Sequence, residues 1–175
     1  MEEFKSLSEL TVMDEKHRLM GAVCGSVPSL EGMHKYLSKE TLNENVPLEI
    51  QNQFNIARNM ALFSYYFYAL CAEVHLKTYT IIERALKIRA DSGKRHGLKY
   101  LMEMAVEEGW ITDDGFRHIE NPEPGNLWCK SMIKTMSELR NSQAHGGNML
   151  VGDCLHHISV CADYINQLFS GEKNT

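Results

Sequence analysis

The run Arg140-Asn141-Ser142-Gln143-Ala144-His145, followed by Gly146-Gly147, carries the residue types of phosphodiester chemistry. A guanidinium clamps a phosphate through two parallel hydrogen bonds and stays charged at any working pH. An imidazole moves protons near neutrality. Together they suit metal-independent cleavage of RNA, which carries its own nucleophile, the 2′-hydroxyl.

These residues need a helix to position them. The stretch 127–145 is predicted to be one helix with an apolar stripe at Trp128, Met132, Ile133, Met136 and Leu139. Arg140 stands one turn past Met136 and two turns past Ile133, on the edge of that stripe. An arginine there is paired, snorkels, or faces a cleft or a second subunit. His145 falls roughly 140° further round an ideal helix. Either Arg140 reaches round, or the helix ends before His145, or a second chain completes the pair. Gly146-Gly147 is a plausible helix stop. The negative end of the helix dipole favours a protonated histidine there, which suits a general acid.

The chain has 175 residues, 43% of them apolar and 23% charged, which predicts one ordinary globular domain. A net charge of −5 and a pI near 5.9 argue against a bulk nucleic-acid coat protein, while leaving room for a local basic cleft. The N-terminus lacks the layout of a signal peptide. The most apolar run, 60–72, is too short to span a bilayer. A cytoplasmic protein without membrane association is expected. Cys24, Cys71, Cys129, Cys154 and Cys161 form no C-x-x-C pair and are expected to be reduced and mostly buried. Cys154, His157 and Cys161 share one helix face and would hold zinc only with a fourth ligand from elsewhere; core cysteines on a packing helix are the expectation.

The pattern is that of an all-α protein, a helical bundle of about five to six helices. Residues 1–47 are expected to be an N-terminal helical extension packing on the bundle formed by 48–175. The extension has a first helix over about 3–20, with Phe4, Leu7, Leu10 and Met13 as its contacts, and a short helix over 30–39. Pro47 suits the first position of the next helix. No glycine or proline interrupts 48–92, which is one long helix or two. One stripe there runs Ile56, Met60, Phe63, Phe67, Leu70, Val74, Ile81 and Ile88; a second runs Tyr65, Tyr68, Ala72, Tyr79, Ile82 and Leu86. Two apolar faces mark a central helix. The aromatics of 63–68 are expected in the core or an interface rather than as a base-stacking platform. A short helix over 98–108 turns Leu98, Leu101, Met102, Ala105 and Val106 inward, and a closing helix covers about 154–169. Between residues 77 and 99, Lys77, Arg84, Lys87, Arg89, Lys94, Arg95 and Lys99 face only Glu83 and Asp91. Lys77, Arg84, Lys87, Lys94 and Arg95 are therefore candidates to track a phosphate backbone, or else form a solvated basic helix end.

Glu138 to Gly146 resembles the signature of the HEPN superfamily: arginine, a polar residue, a few variable residues and histidine, late in a helical bundle. The order of helices is similar over about 48–170. The resemblance implies a homodimer with two signature helices facing across a shared cleft, and no cofactor. It implies an endoribonuclease in a toxin or antiviral-defence setting, with RNA as substrate and an antitoxin or other defence protein as possible partner. It assigns Arg140 to phosphate binding, His145 to proton transfer and Asn141 to orienting one of these groups, with a 2′,3′-cyclic phosphate as product. In members paired with a nucleotidyltransferase antitoxin a tyrosine stands two residues after the histidine; Gly147 stands there, which argues against that pairing. Other members are noncatalytic modules that bind nucleotide, nucleic acid or a partner protein. A third expectation, of an unrelated helical protein, pairs Arg140 with an acidic neighbour such as Glu83 or Glu138. No H-E-x-x-H, Walker or G-x-S-x-G pattern is present.

Overall fold

A computed structural model describes residues 3–91, 96–145 and 154–171. The fold is an all-α bundle, with seven α-helices and no strand among the described residues. They are α1 (Glu15–Cys24), α2 (Leu30–Lys39), α3 (Leu48–Phe63), α4 (Leu70–Arg89), α5 (Leu98–Glu107), α6 (Leu127–Ala144) and α7 (Cys154–Leu168). Short 3₁₀ turns lie at Leu7–Glu9 and Asp113–Gly115. No described helix is long and apolar enough to cross a membrane.

The expected first helix over 3–20 is instead a 3₁₀ turn followed by α1. Ser6 and Glu9 close the turn through a capping box. Asp14 then restarts the chain as N-cap, its Oδ1 accepting from the Lys16 amide at 3.0 Å. Phe4, Leu7 and Leu10, expected as packing contacts, are exposed. Gly21 lies inside α1, and Gly25 ends it at φ 83°, a left-handed cap that suits glycine. Pro47 is the N-cap of α3 rather than its first residue.

The stretch 48–92 forms two helices that break without glycine or proline at 64–69. The N-terminal segment holds that break together. Asp14 donates its amide to the Tyr65 carbonyl at 2.9 Å, and its Oδ2 accepts from the Tyr68 amide at 3.0 Å. His17 Nε2 bonds the Ser64 carbonyl at 2.9 Å. Burial works against the Asp14 charge, but the Tyr68 and Lys16 amides and the Lys5 ammonium outweigh it and hold the carboxyl below its usual range.

The break also resets the packing face. On α3 the buried residues are Ile50, Phe54, Ala57 and Ala61, whereas Ile56 and Phe63 of the expected stripe are exposed. Two of the four are alanines, both fully buried. As expected of a central helix, α4 buries two faces, with Val74, Tyr79, Ile81, Ile82 and Leu86 all in the core, and contacts α3, α5, α6 and α7. Within the 63–68 aromatics Tyr68 is buried, Phe63 exposed and the remaining rings half-buried. The five inward residues expected of α5 are its buried ones. Arg117 joins α2 to α7, reaching the buried Glu40 and Asp163 carboxylates at 2.6 Å each. Pairing keeps both acids from being stranded charges.

Candidate functional site

The site is built on α6, and a carboxylate from outside the helix sets where that helix begins. Asp113, buried in its 3₁₀ turn, accepts from the Trp128 amide at 3.0 Å and the Cys129 amide at 2.9 Å. Two of the amides left over at the helix start are thereby satisfied. Burial opposes the Asp113 charge, but hydrogen bonds from Cys129 and Trp128 prevail and lower its pKa. Phe116, Trp128 and Tyr164 pack as an aromatic cluster, with Phe116 4.4 Å from Trp128 and 4.6 Å from Tyr164. The cluster fixes the 3₁₀ segment and the start of α6 against α7.

From that fixed start the stripe runs as expected: Met136 is buried, and Trp128, Met132, Ile133 and Leu139 pack on the core. Arg140 follows on the stripe's edge, its side chain 38% exposed. Nη2 donates to Glu83 Oε2 of α4 at 3.2 Å, and Nη1 donates to Asn141 Oδ1 at 3.2 Å. Glu83 is more buried, at 13%, and its other oxygen accepts from Lys87 at 2.6 Å. One carboxylate thus serves two cations. A guanidinium has five N–H donors, so these two bonds leave Arg140 with capacity for a ligand.

Arg140 and Asn141 line a cavity of about 220 Å³ together with Glu83, Gly97, Leu98, Lys99 and Ser137. α6 ends at Ala144, so His145 lies just past the helix, and its side chain is exposed. The helix end expected before His145 is present. The His145 amide still donates to the Asn141 carbonyl at 3.1 Å. Asn141 therefore touches both candidates, Arg140 through its side chain and His145 through its backbone. A larger concavity, about 630 Å³ between the first 3₁₀ turn and α1, includes neither Arg140 nor His145.

Among the described residues of the basic segment, Lys77, Arg84 and Lys87 meet different partners. Lys77 bonds Gln53 on α3, and Arg84 holds Glu49 on α3 through bonds of 2.6 and 3.1 Å. The Arg84 hydrogen bonds keep the Glu49 carboxyl below its usual range. Lys87 belongs to the Glu83–Arg140 group on the α6 side. Arg89 lies over the Trp110 ring at 5.4 Å. Lys94, Arg95 and the helix stop expected at Gly146-Gly147 fall outside the described residues.

The Cys154, His157, Cys161 face is turned into the core. Cys161 is buried with its sulfur 3.9 Å from the Thr78 carbonyl, and His157 stacks on His75 at 3.5 Å. Among the described residues no group of three or more His, Cys, Asp or Glu gathers as metal ligands would. His156 is exposed. The capping role of Asp113 and the walls at Leu98 and Ser137 carried no sequence signal, because they arise from contacts between distant segments.

No protein-family model, no curated protein and no solved structure matches the chain.

Proposed function

We propose that this protein is a metal-independent endoribonuclease of HEPN type, active as a homodimer in a toxin or antiviral-defence role. The observation that supports this most is Arg140 at the edge of an open cavity, with donors to spare, Asn141 beside it in the lining, and His145 exposed at the end of the same helix. Arg140 binds the scissile phosphate and offsets the charge that develops on it in the transition state. His145 takes the 2′-hydroxyl proton or delivers one to the leaving 5′-oxygen. Asn141 holds the guanidinium in place. A second copy brings the same pair to the opposite side of the cleft, which removes the need for both groups to share one helix face. The product is a 2′,3′-cyclic phosphate and a 5′-hydroxyl.

The test is cleavage of a mixed RNA pool in EDTA by wild type, Arg140→Ala and His145→Ala, with end-group analysis. Each substitution is expected to slow cleavage by about 10²-fold or more. Cleavage that survives in both variants would overturn the assignment.

The Arg140–Glu83 ion pair favours a second reading, an unrelated helical protein in which Arg140 is a structural partner of Glu83. In that case a folded wild type neither cuts nor binds RNA, and Arg140→Ala changes stability alone. A noncatalytic HEPN-like module would instead bind RNA or nucleotide without cutting it, with binding weakened by Arg140→Ala and not by His145→Ala.

A further inference from the structure

Two cysteines far apart in sequence meet where α4 and α7 begin. The sulfurs of Cys71 and Cys154 lie 3.1 Å apart, about 1 Å more than a disulfide bond. Both residues are buried. Ser64 lies 3.5 Å from the Cys154 sulfur and donates its own proton to the Ala61 carbonyl at 2.7 Å. Its oxygen is therefore an acceptor for the Cys154 thiol, and the Cys71 thiol points at the Cys154 sulfur. Both cysteines sit in the first turn of their helices. Cys161 bonds a backbone carbonyl, and Cys129 is buried beside Asp113.

We infer that Cys71 and Cys154 form a peroxide-responsive dithiol that closes to a disulfide linking α4 to α7. One sulfur, as thiolate, attacks a peroxide oxygen and breaks the O–O bond, giving a sulfenic acid and hydroxide. The second thiol attacks that sulfur and expels its hydroxyl, which leaves as water with the thiol proton. In sum two thiols and one hydrogen peroxide give one disulfide and two waters: two electrons pass from sulfur to the peroxide oxygens. A peroxide molecule is little larger than water, so it reaches a buried pair that a bulky disulfide oxidant does not. The cross-link closes the long loop that carries α5 and α6, and so constrains the unfolded chain. This inference does not depend on the ribonuclease reading.

The experiment treats the reduced full chain with hydrogen peroxide, then alkylates the denatured protein and maps its peptides without reductant. A peptide joining Cys71 to Cys154 is expected, with a mass loss of two hydrogens and two of the five thiols no longer alkylated. The urea midpoint should rise on oxidation and return with dithiothreitol. Cys71→Ser and Cys154→Ser should each abolish the cross-link, while Cys129→Ser retains it. Five alkylated thiols, linkage through other cysteines, or accumulation of sulfinic acid at either position would overturn the proposal. Because wild-type mapping carries the result, a variant that fails to fold does not obscure it.

Discussion

Glu83 decides how available Arg140 is. A phosphate reaching the guanidinium must share it with a carboxylate that is already engaged by Lys87. Glu83→Gln keeps the shape and an acceptor oxygen but removes the charge. It is expected to tighten RNA binding several-fold, read as a lower Kd or KM. Arg140 is more than a third exposed, so the cost in urea stability should stay under about 1 kcal/mol. Unchanged affinity would mean that Glu83 does not compete for the arginine. At this scale the sequence was informative where chemistry is local. The order Arg, Asn, His within one turn and a half is visible in the letters, and Glu83 was one of the acidic neighbours offered as a partner for Arg140. It was uninformative where a partner comes from another helix. Counting cations from 77 to 99 suggests one basic track, whereas Lys77 and Arg84 each meet an α3 side chain that no spacing within α4 reveals.

Helix α6 owes its starting point to a carboxylate outside it. Asp113→Ala removes both capping bonds, and the loss is expected to be about 1–2 kcal/mol by urea denaturation. Because folding depresses the Asp113 pKa, its contribution is present above the unfolded value near 3.8 and is lost as pH falls through the lower folded value. If Asp113→Ala melts like wild type, the cap is not what anchors α6. Helix boundaries in the second half of the chain were legible from periodicity, as for α5, α6 and α7, because there the apolar spacing is uninterrupted. The first half was less so. Apolar letters at 4, 7 and 10 imitate an amphipathic helix, but a capping box and the Asp14 cap compete locally and win. On α3 the bulky residues Ile56 and Phe63 suggested one face, yet the buried side is the one carrying Ala57 and Ala61. Small residues carry close packing without a strong apolar signal.

The bundle as a whole should be sensitive to mild acid. His75 and His157 stack in the interior, and burial, helped by neighbouring imidazoles, lowers their pKa values to about 3 and about 4. In the unfolded chain both titrate near 6.5. Between those values the unfolded chain binds protons that the folded chain refuses. Stability is therefore full above about pH 6.5, falls as pH drops towards 4, and levels off below the folded values. His118 adds a contribution of the same sign. Urea midpoints from pH 7.5 to 4.5 should fall, and His75→Phe should flatten the slope by about one proton. A flat wild-type profile would show that the pair is solvated. The clasp at the α3–α4 break carries a different consequence, one of timing. On the ribosome Asp14 and His17 are made well before Ser64, Tyr65 and Tyr68, the residues they bind. The N-terminal segment thus waits, undocked, until α3 and the junction have emerged.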